Sequence, residues 1–317
     1  MTRYLLRRLP SALLVLVLAS MLIFGILRLV PGDPATTLAG PDATPEAVAA
    51  IRHSLGLDLS VPEQYLVWVG NLLRFDLGRS YLIGGSISEL VLSGLANTLV
   101  LSGAAILLAV LLSLATALLW VGSRSRFLEA LLTASNTLAV ALPTFVTGVL
   151  LVLVFGVWLP ILPSGGVPPN GFLAEPDIAA QYLLLPAVCL ALPSSASLAR
   201  FLAESLRSEL SAPHVMTARA AGVPERRILL AHALPAALPT YLTALGLQAG
   251  ALLGGAVLVE AIFSWPGLGQ LAAQAIDRRD YPVVQVLLLL SVALFVVIQL
   301  ATDLLHAYLD PRIRIGA

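Results

Sequence analysis

Residues 211–239, SAPHVMTARAAGVPERRILLAHALPAALP, decide how this chain is read. Long apolar segments flank them, and within nine positions they hold Arg219, Glu225, Arg226 and Arg227. Unpaired charge and open backbone are costly in hydrocarbon, so this stretch belongs in water beside a membrane. Its internal grammar is two helices and a corner. Met216–Ala221 favour helix, and Gly222 suits the left-handed conformation that ends one. Pro224 suits the first turn of a second helix, with Glu225 near that helix's positive end. Arg219, Arg226 and Arg227 are then left pointing outward, able to form forked bonds to carboxylates. On spacing alone, a lever gripped by a partner and a plain solvated loop are equal readings.

Composition sets the class. Hydrophobic residues make up 58% of the 317 and charged residues only 11%, where a soluble domain carries about 25% charged. The chain is an all-α integral membrane protein by this measure. Its net charge of zero sets nucleic acid aside as a partner. Cys189 is the single cysteine, so neither a disulfide framework nor a cysteine metal cluster is available. His53, His214, His232 and His306 do not fall at metal-ligand spacing, and no metal or cofactor is expected on this chain.

Six stretches reach the roughly 20 residues that a spanning helix needs: 9–30, 96–121, 132–158, 181–203, 235–262 and 283–306. The first follows Arg3, Arg7 and Arg8 like a signal peptide. Its apolar core is too long and lacks a small-x-small cleavage site, which makes it a retained anchor. Placing the N-terminus inside puts twelve arginines on the internal side: Arg3, Arg7, Arg8, Arg124, Arg126, Arg200, Arg207, Arg219, Arg226, Arg227, Arg312 and Arg314. Five lie outside (Arg52, Arg74, Arg79, Arg278 and Arg279), and Arg28 can snorkel from the end of the first helix. The bias predicts a multi-pass protein with both termini cytoplasmic.

The domain reading follows. Residues 1–30 form the N-terminal end and first helix, 31–95 an extracytoplasmic insert, 96–306 a five-helix core, and 307–317 a cytoplasmic tail. Val30-Pro31-Gly32-Asp33-Pro34 stops the first helix, because proline and glycine together forbid its continuation. Thr44-Pro45-Glu46 reads as a helix start within the insert, with a hydroxyl cap, a first-turn proline and an early acid. The insert is the place for a small water-exposed domain. Its acidic surface suits a docking partner or an ordinary solvated cap equally well.

Several motifs then converge on one family. Thr217-Ala218-Arg219-Ala220-Ala221-Gly222, followed at fixed spacing by Leu234-Pro235, resembles the EAA loop of ABC importer permeases, and specifically the TARAKG run of the dipeptide/oligopeptide/nickel branch. Tyr4-Leu5-Leu6-Arg7-Arg8-Leu9, Arg28 to Pro34 and Gly250 to Val257 resemble that family's YLLRRL, RLLPGDP and GALLGGAV. Glu260, Phe263 to Gly269, Arg279 to Gln285 and Leu309 to Arg314 resemble its conserved E, FSWPGLG, RDYPVVQ and LDPRIR. The similarity runs over nearly the whole chain. Two departures stand out: Ala221 replaces the usual lysine, and His232 occupies an ordinarily apolar position.

The resemblance implies a type-1 ABC importer permease fold in a bacterial or archaeal cytoplasmic membrane. It implies a second homologous permease, two cytoplasmic ABC ATPases and an extracytoplasmic substrate-binding protein as partners, besides membrane lipid. ATP and Mg would be bound by the ATPases, since this chain has no G-x-x-x-x-G-K-[ST] phosphate loop. The chain would be a transport subunit and not an enzyme. The loop 212–234 would be the coupling lever, with Thr217, Ala218, Arg219, Gly222, Pro224, Glu225, Arg226, Arg227, Leu234 and Pro235 as its residues. Peptide is the first substrate choice on family frequency; nickel chelates, glutathione and sugars are alternatives, as are heterodimeric and homodimeric permease cores.

Polar residues inside apolar segments are the candidates for the translocation path: Asn136, Gln248, Glu260 and Gln299, with Asp303 near a helix end. Gly246, Gly250 and Gly254 form a stripe that reads first as tight helix packing. Pro143, Pro186 and Pro193 are expected to bend their helices. A stand-alone secondary transporter is the reading from a different class. The chain shows neither the midplane acids nor the inverted repeat such a carrier would carry, and no nucleophile–base arrangement supports an intramembrane enzyme.

Overall fold

The computed structural model describes residues 2–309 apart from Pro31, Pro41, Arg124, Asn170 and Leu173, with side chains from Pro10 to Leu300, Leu253 excepted. The side chain of Asp303 and most of the 307–317 tail, with its LDPRIR end, lie outside the described residues. In chain order the helices are α1 (Thr2–Leu29), α2 (Pro34–Ala39), α3 (Pro45–Ser54), α4 (Val61–Leu73), α5 (Ile87–Gly122), α6 (Arg126–Ala141), α7 (Thr144–Leu151), α8 (Pro176–Leu210), α9 (Pro213–Ala220), α10 (Glu225–Arg227), α11 (Leu234–Ile262), α12 (Leu268–Asp277) and α13 (Tyr281–Leu309). Two stretches widen into π-helix, Val152–Trp158 after α7 and Ile228–Ala233 between α10 and α11. The second precedes Pro235, whose ring presses on the carbonyl four residues back; a wider turn relieves that contact.

Among the described residues, five helices are long and apolar enough to cross a membrane, or six if one bent pair counts as a single span. The exception is the segment 132–158, expected as one span bent at Pro143. It is α6 and α7 with its π-helical extension, meeting at 106°. Pro143 causes the break. It disfavours helical backbone in the residue before it, and Leu142 is extended at φ −74 and ψ 125. The prolines of α8 act differently, since α8 runs on through Pro186 and Pro193.

The described chain divides into two compact units. The first comprises Asn97–Gly269 with the chain from Ile298 onward. Its centre is α8: 61% of that helix's most apolar window is buried, against 17–28% in the other spans. Alanine, serine and cysteine along α8 (Ala187, Cys189, Ala191, Ser194, Ala199) let α6, α7 and α11 approach it closely. Leu198, Leu202 and Leu206 continue the core toward the far end of α8. Close approach also explains Gly148 and Gly255, where an added Cβ would press on Cys189 and Leu190. Gly250 and Gly254 of the stripe make no such contact among the described residues. Gly254 has open space beside it, and Gly250 reaches only Ile298 at 4.0 Å.

The second unit comprises Thr2–Ala96 and Gln270–Val297. Asp33 caps α2 through the amide of Ala35 and pairs with Arg52 of α3. Thr44 caps α3, accepting from the amide of Ala47, with Pro45 and Glu46 in the first turn, as the local sequence requires. Tyr65 and Trp68 of α4 pack on Phe24 of α1, at ring-centroid distances of 5.4 and 5.9 Å. Where α1, α4 and the start of α13 face one another they leave a cavity of about 460 Å³, lined among others by Arg28, Asn71 and Tyr281.

Candidate functional site

The elbow at 212–234 is built from a helix, a left-handed stop and a second short helix. At the end of α9 the amide of Val223 donates to the Ala218 carbonyl at 3.1 Å and that of Gly222 to the Arg219 carbonyl at 3.1 Å. This pair of reversed bonds needs a positive φ at Gly222, and it stands at +81°. Pro224 follows in extended conformation at φ −66 and ψ 143, and its carbonyl accepts from Arg227 and Ile228, starting α10. Pro224 thus sits one place before the first helical turn instead of within it. Thr217 bonds back to the Pro213 carbonyl, and Ala218 is half-buried.

Fully buried Val215, Ile228 and Ala233 fasten the elbow to the rest of its unit. Leu229 presses on the end of α5, 3.3 Å from where a Cβ on Gly122 would stand. Leu234 is half-buried and Pro235 exposed at the start of α11. These hooks make the corner a rigid projection from its unit.

One charge is arranged otherwise than the spacing predicts. Arg219 does not point outward alone: its guanidinium closes a fork on Glu225 across the corner, at 2.7 and 3.2 Å. Hydrogen bonding to Glu225, reinforced by its charge, pushes the arginine above its already high range. Arg226 and Arg227 stay exposed, beside Met216 and Leu230 at 61% and 54% exposure. His232 is exposed as well. The surface offered by the elbow is therefore two arginines among apolar side chains, braced by an internal ion pair.

The four path candidates are not brought together. Glu260 is fully buried at the end of α11. Its carboxylate accepts from the Thr98 hydroxyl and the Gly269 amide, both at 2.6 Å. A Cβ on Gly267 or Gly269 would run into this carboxylate, which is why the FSWPGLG turn carries glycine at both places. Thr98 also accepts from the Leu268 amide at 2.9 Å. Trp265 donates its indole N–H to the Asn97 carbonyl, and Asn97 returns its amide to the Pro266 carbonyl. Asn136 is buried too, donating to the Leu132 carbonyl of its own helix at 2.9 Å. Glu260 and Asn136 thus carry no polar group to the surface of the chain. Gln248 is half-buried and lies 3.4 Å from the Ser194 hydroxyl of α8, whereas Gln299 lies on an exposed part of α13.

A second buried carboxylate, in the other unit, escaped the sequence reading. Asp280 of the RDYPVVQ run is fully buried and starts α13. It accepts from the Ser80 hydroxyl at 2.5 Å and from the amides of Tyr81, Leu82 and Ile83 at 3.3, 2.8 and 3.0 Å. Burial alone would push this carboxyl up, but the four donors outweigh it and hold it below the ordinary carboxylate range. The Thr98–Glu260 and Ser80–Asp280 pairs join residues far apart in sequence, so no local signal marks them.

These features define a polytopic helical membrane protein with a rigid charged elbow fixed to its core. The chain belongs to the binding-protein-dependent transport system inner membrane component family, which matches residues 109–315. The N-terminal region of the same class of membrane components matches residues 1–92. A probable peptide ABC transporter permease of Sinorhizobium fredii is 36% identical over 314 residues, covering 98% of this chain and 99% of that protein. A glutathione transport system permease of Salmonella paratyphi A is 35% identical over 314 residues, covering 99% of each. Among solved structures, the inward-facing methionine ABC transporter MetNI matches with a TM-score of 0.54 at 21% identity, over 70% of this chain and 97% of that one. An amino acid ABC transporter crystallised with histidines matches with the same score at 19% identity, over 70% of this chain and 94% of that one. The fold is that of ABC importer permeases, and the chain is a membrane transport component, not an enzyme.

Proposed function

We propose that this chain is one permease subunit of an ATP-driven importer of peptides, delivered by an extracytoplasmic binding protein. Full-length relatives named as peptide permeases support the substrate class. Relatives named for glutathione, at 35% identity, support glutathione as the second reading. The partners are a second permease, two ATPases that bind ATP and Mg, and the binding protein. The arginine bias supports a cytoplasmic position for both termini and the elbow, on the side where the ATPases would work.

The observation that carries the mechanism is the left-handed stop at Gly222, braced by Arg219–Glu225 and hooked to the core by Val215 and Ile228. A stiff corner moves as one piece, so closure of the ATPases displaces α8 and α11 together. Arg226 and Arg227 supply forked donors for ATPase carboxylates. Gln248 and Ser194, facing each other between α11 and α8, are the polar pair we assign to the path.

The test is Gly222→Val. A β-branched residue resists positive φ, so the corner must open. Peptide uptake into proteoliposomes is expected to fall to background while membrane insertion and the melting temperature stay as in the parent. Normal uptake would refute the lever.

A further inference from the structure

The insert after α1 is not wholly a water-exposed cap. We propose that α4 lies in the bilayer interface at the C-terminal end of α1, with lipid covering its free face. The argument starts from depth. The apolar span of α1 ends at Leu29. At 1.5 Å per residue, Phe24 sits about 8 Å and Ser20 about 13 Å inside that end. Tyr65 of α4 hydrogen-bonds Ser20 at 2.9 Å, and the rings of Tyr65 and Trp68 pack on Phe24. A helix touching those two residues stands at the level of the leaflet and not clear of it.

The composition of α4 fits that level. Its sequence VPEQYLVWVGNLL holds one charged residue, Glu63, which is occupied in the first turn by the amide and hydroxyl of Ser60. Arg74 follows directly after the last turn, where a long side chain snorkels to headgroups. Tyrosine and tryptophan are the residues of the membrane–water boundary.

Among the described residues, nothing covers the face of α4 opposite Trp68. Leu66 and Leu73 lie seven residues apart along that side of the helix, 67% and 77% exposed. Phe75, just past the last turn, is 91% exposed and stands at a positive φ of 59° that bulky residues rarely adopt. Backbone strain that turns a phenylalanine into water gains nothing; turned into acyl chains, it gains an anchor. The stripe is continuous in kind with the exposed leucines of the α1 span, Leu22 and Leu29, at 62% and 83%. Lipid is the occupant that both helices share.

The experiment uses the assembled transporter in nanodiscs, with native buried Cys189 left in place. Single cysteines replacing Leu66, Leu73 or Phe75 carry an environment-sensitive fluorophore. Leu22→Cys serves as the lipid reference and Glu46→Cys, on exposed α3, as the water reference. Labels at 66, 73 and 75 are expected to be quenched by doxyl-labelled phosphatidylcholine as strongly as that at 22, and to be shielded from iodide at least threefold better than that at 46. Iodide quenching equal to that at 46 would overturn the proposal. So would protection from both quenchers, which would assign the face to a protein neighbour. Neither outcome depends on the substrate or on the coupling lever, so the proposed function stands or falls separately.

Discussion

The corner at Gly222 and the turn at Gly267–Gly269 use similar parts toward opposite ends. Each joins a helix end, a glycine and a carboxylate. At Gly222 the carboxylate is Glu225, about half exposed and paired with an equally exposed arginine. At the other turn it is Glu260, fully buried and satisfied by Thr98 and Gly269. Water screens the first pair, so it stabilises the fold little and can be traded for a partner's charge. The second cannot be traded, because loss of a buried acceptor strands its donors. The glycines differ in the same sense. Gly222 has open space around it and is required for its φ, whereas Gly267 and Gly269 are required for close approach to the carboxylate. A region shaped for exchange keeps its polar groups at the surface; a region shaped for permanence encloses them.

That contrast can be broken most sharply at Glu260. Glu260→Leu leaves the Thr98 hydroxyl and the Gly269 amide without their acceptor, at about 1–3 kcal/mol for each donor left unmade. The melting temperature in detergent is expected to fall by more than in any other variant considered, with Glu260→Gln intermediate. An unchanged melting temperature for Glu260→Leu would show that the enclosed carboxylate is not the anchor.

Asp280 gives the next largest effect and adds a pH signature. A carboxyl held below its ordinary range contributes stability that is fully present above its unfolded value of about 3.9. That contribution is lost as pH falls through the lower folded value. Asp280→Asn is therefore expected to be less stable than the parent at pH 7, by about 1–3 kcal/mol. The gap should close as pH falls below 4. A gap that persists unchanged into acid would mean the carboxylate's charge is not what the Ser80 hydroxyl and the Tyr81–Ile83 amides hold.

The smallest effect is predicted at the elbow. Arg219→Ala is expected to leave the melting temperature unchanged while lowering uptake per ATP hydrolysed. Exchanging the pair, as Arg219→Glu with Glu225→Arg, should recover part of that ratio, since the fork is remade in reverse. A large thermal destabilisation of Arg219→Ala would move this pair into the same category as Glu260.

Much of the architecture was legible from local chemistry. The spans, the Thr44 cap and the Gly222–Pro224 corner follow from hydrophobic run length, capping and the φ preferences of glycine and proline, all short-range properties. The break at Leu142–Pro143 was legible as a bend but not as a turn of 106°, because proline forbids continuation without fixing the new direction. Arg219 was misread as free because its partner lies six residues on, across a corner whose angle had to be built first. Glu260 attracted notice as an acid in an apolar run, yet its meaning depended on Thr98, from a different helix.

The sequence by itself determined that this chain lives in a bilayer, roughly where its apolar segments lie, and to which transport family it belongs. Run length, caps and turn residues act over a few positions and are written in order. Only the tertiary structure decided which polar groups are enclosed and which are offered. It closed Thr98 and Gly269 on Glu260, gathered Ser80 to Ile83 around Asp280 and set Tyr65 against Ser20. The reason is physical: whether a carboxylate is an anchor or a contact depends on the dielectric and the donors around it. Those are supplied by residues that the chain brings near only when it has folded.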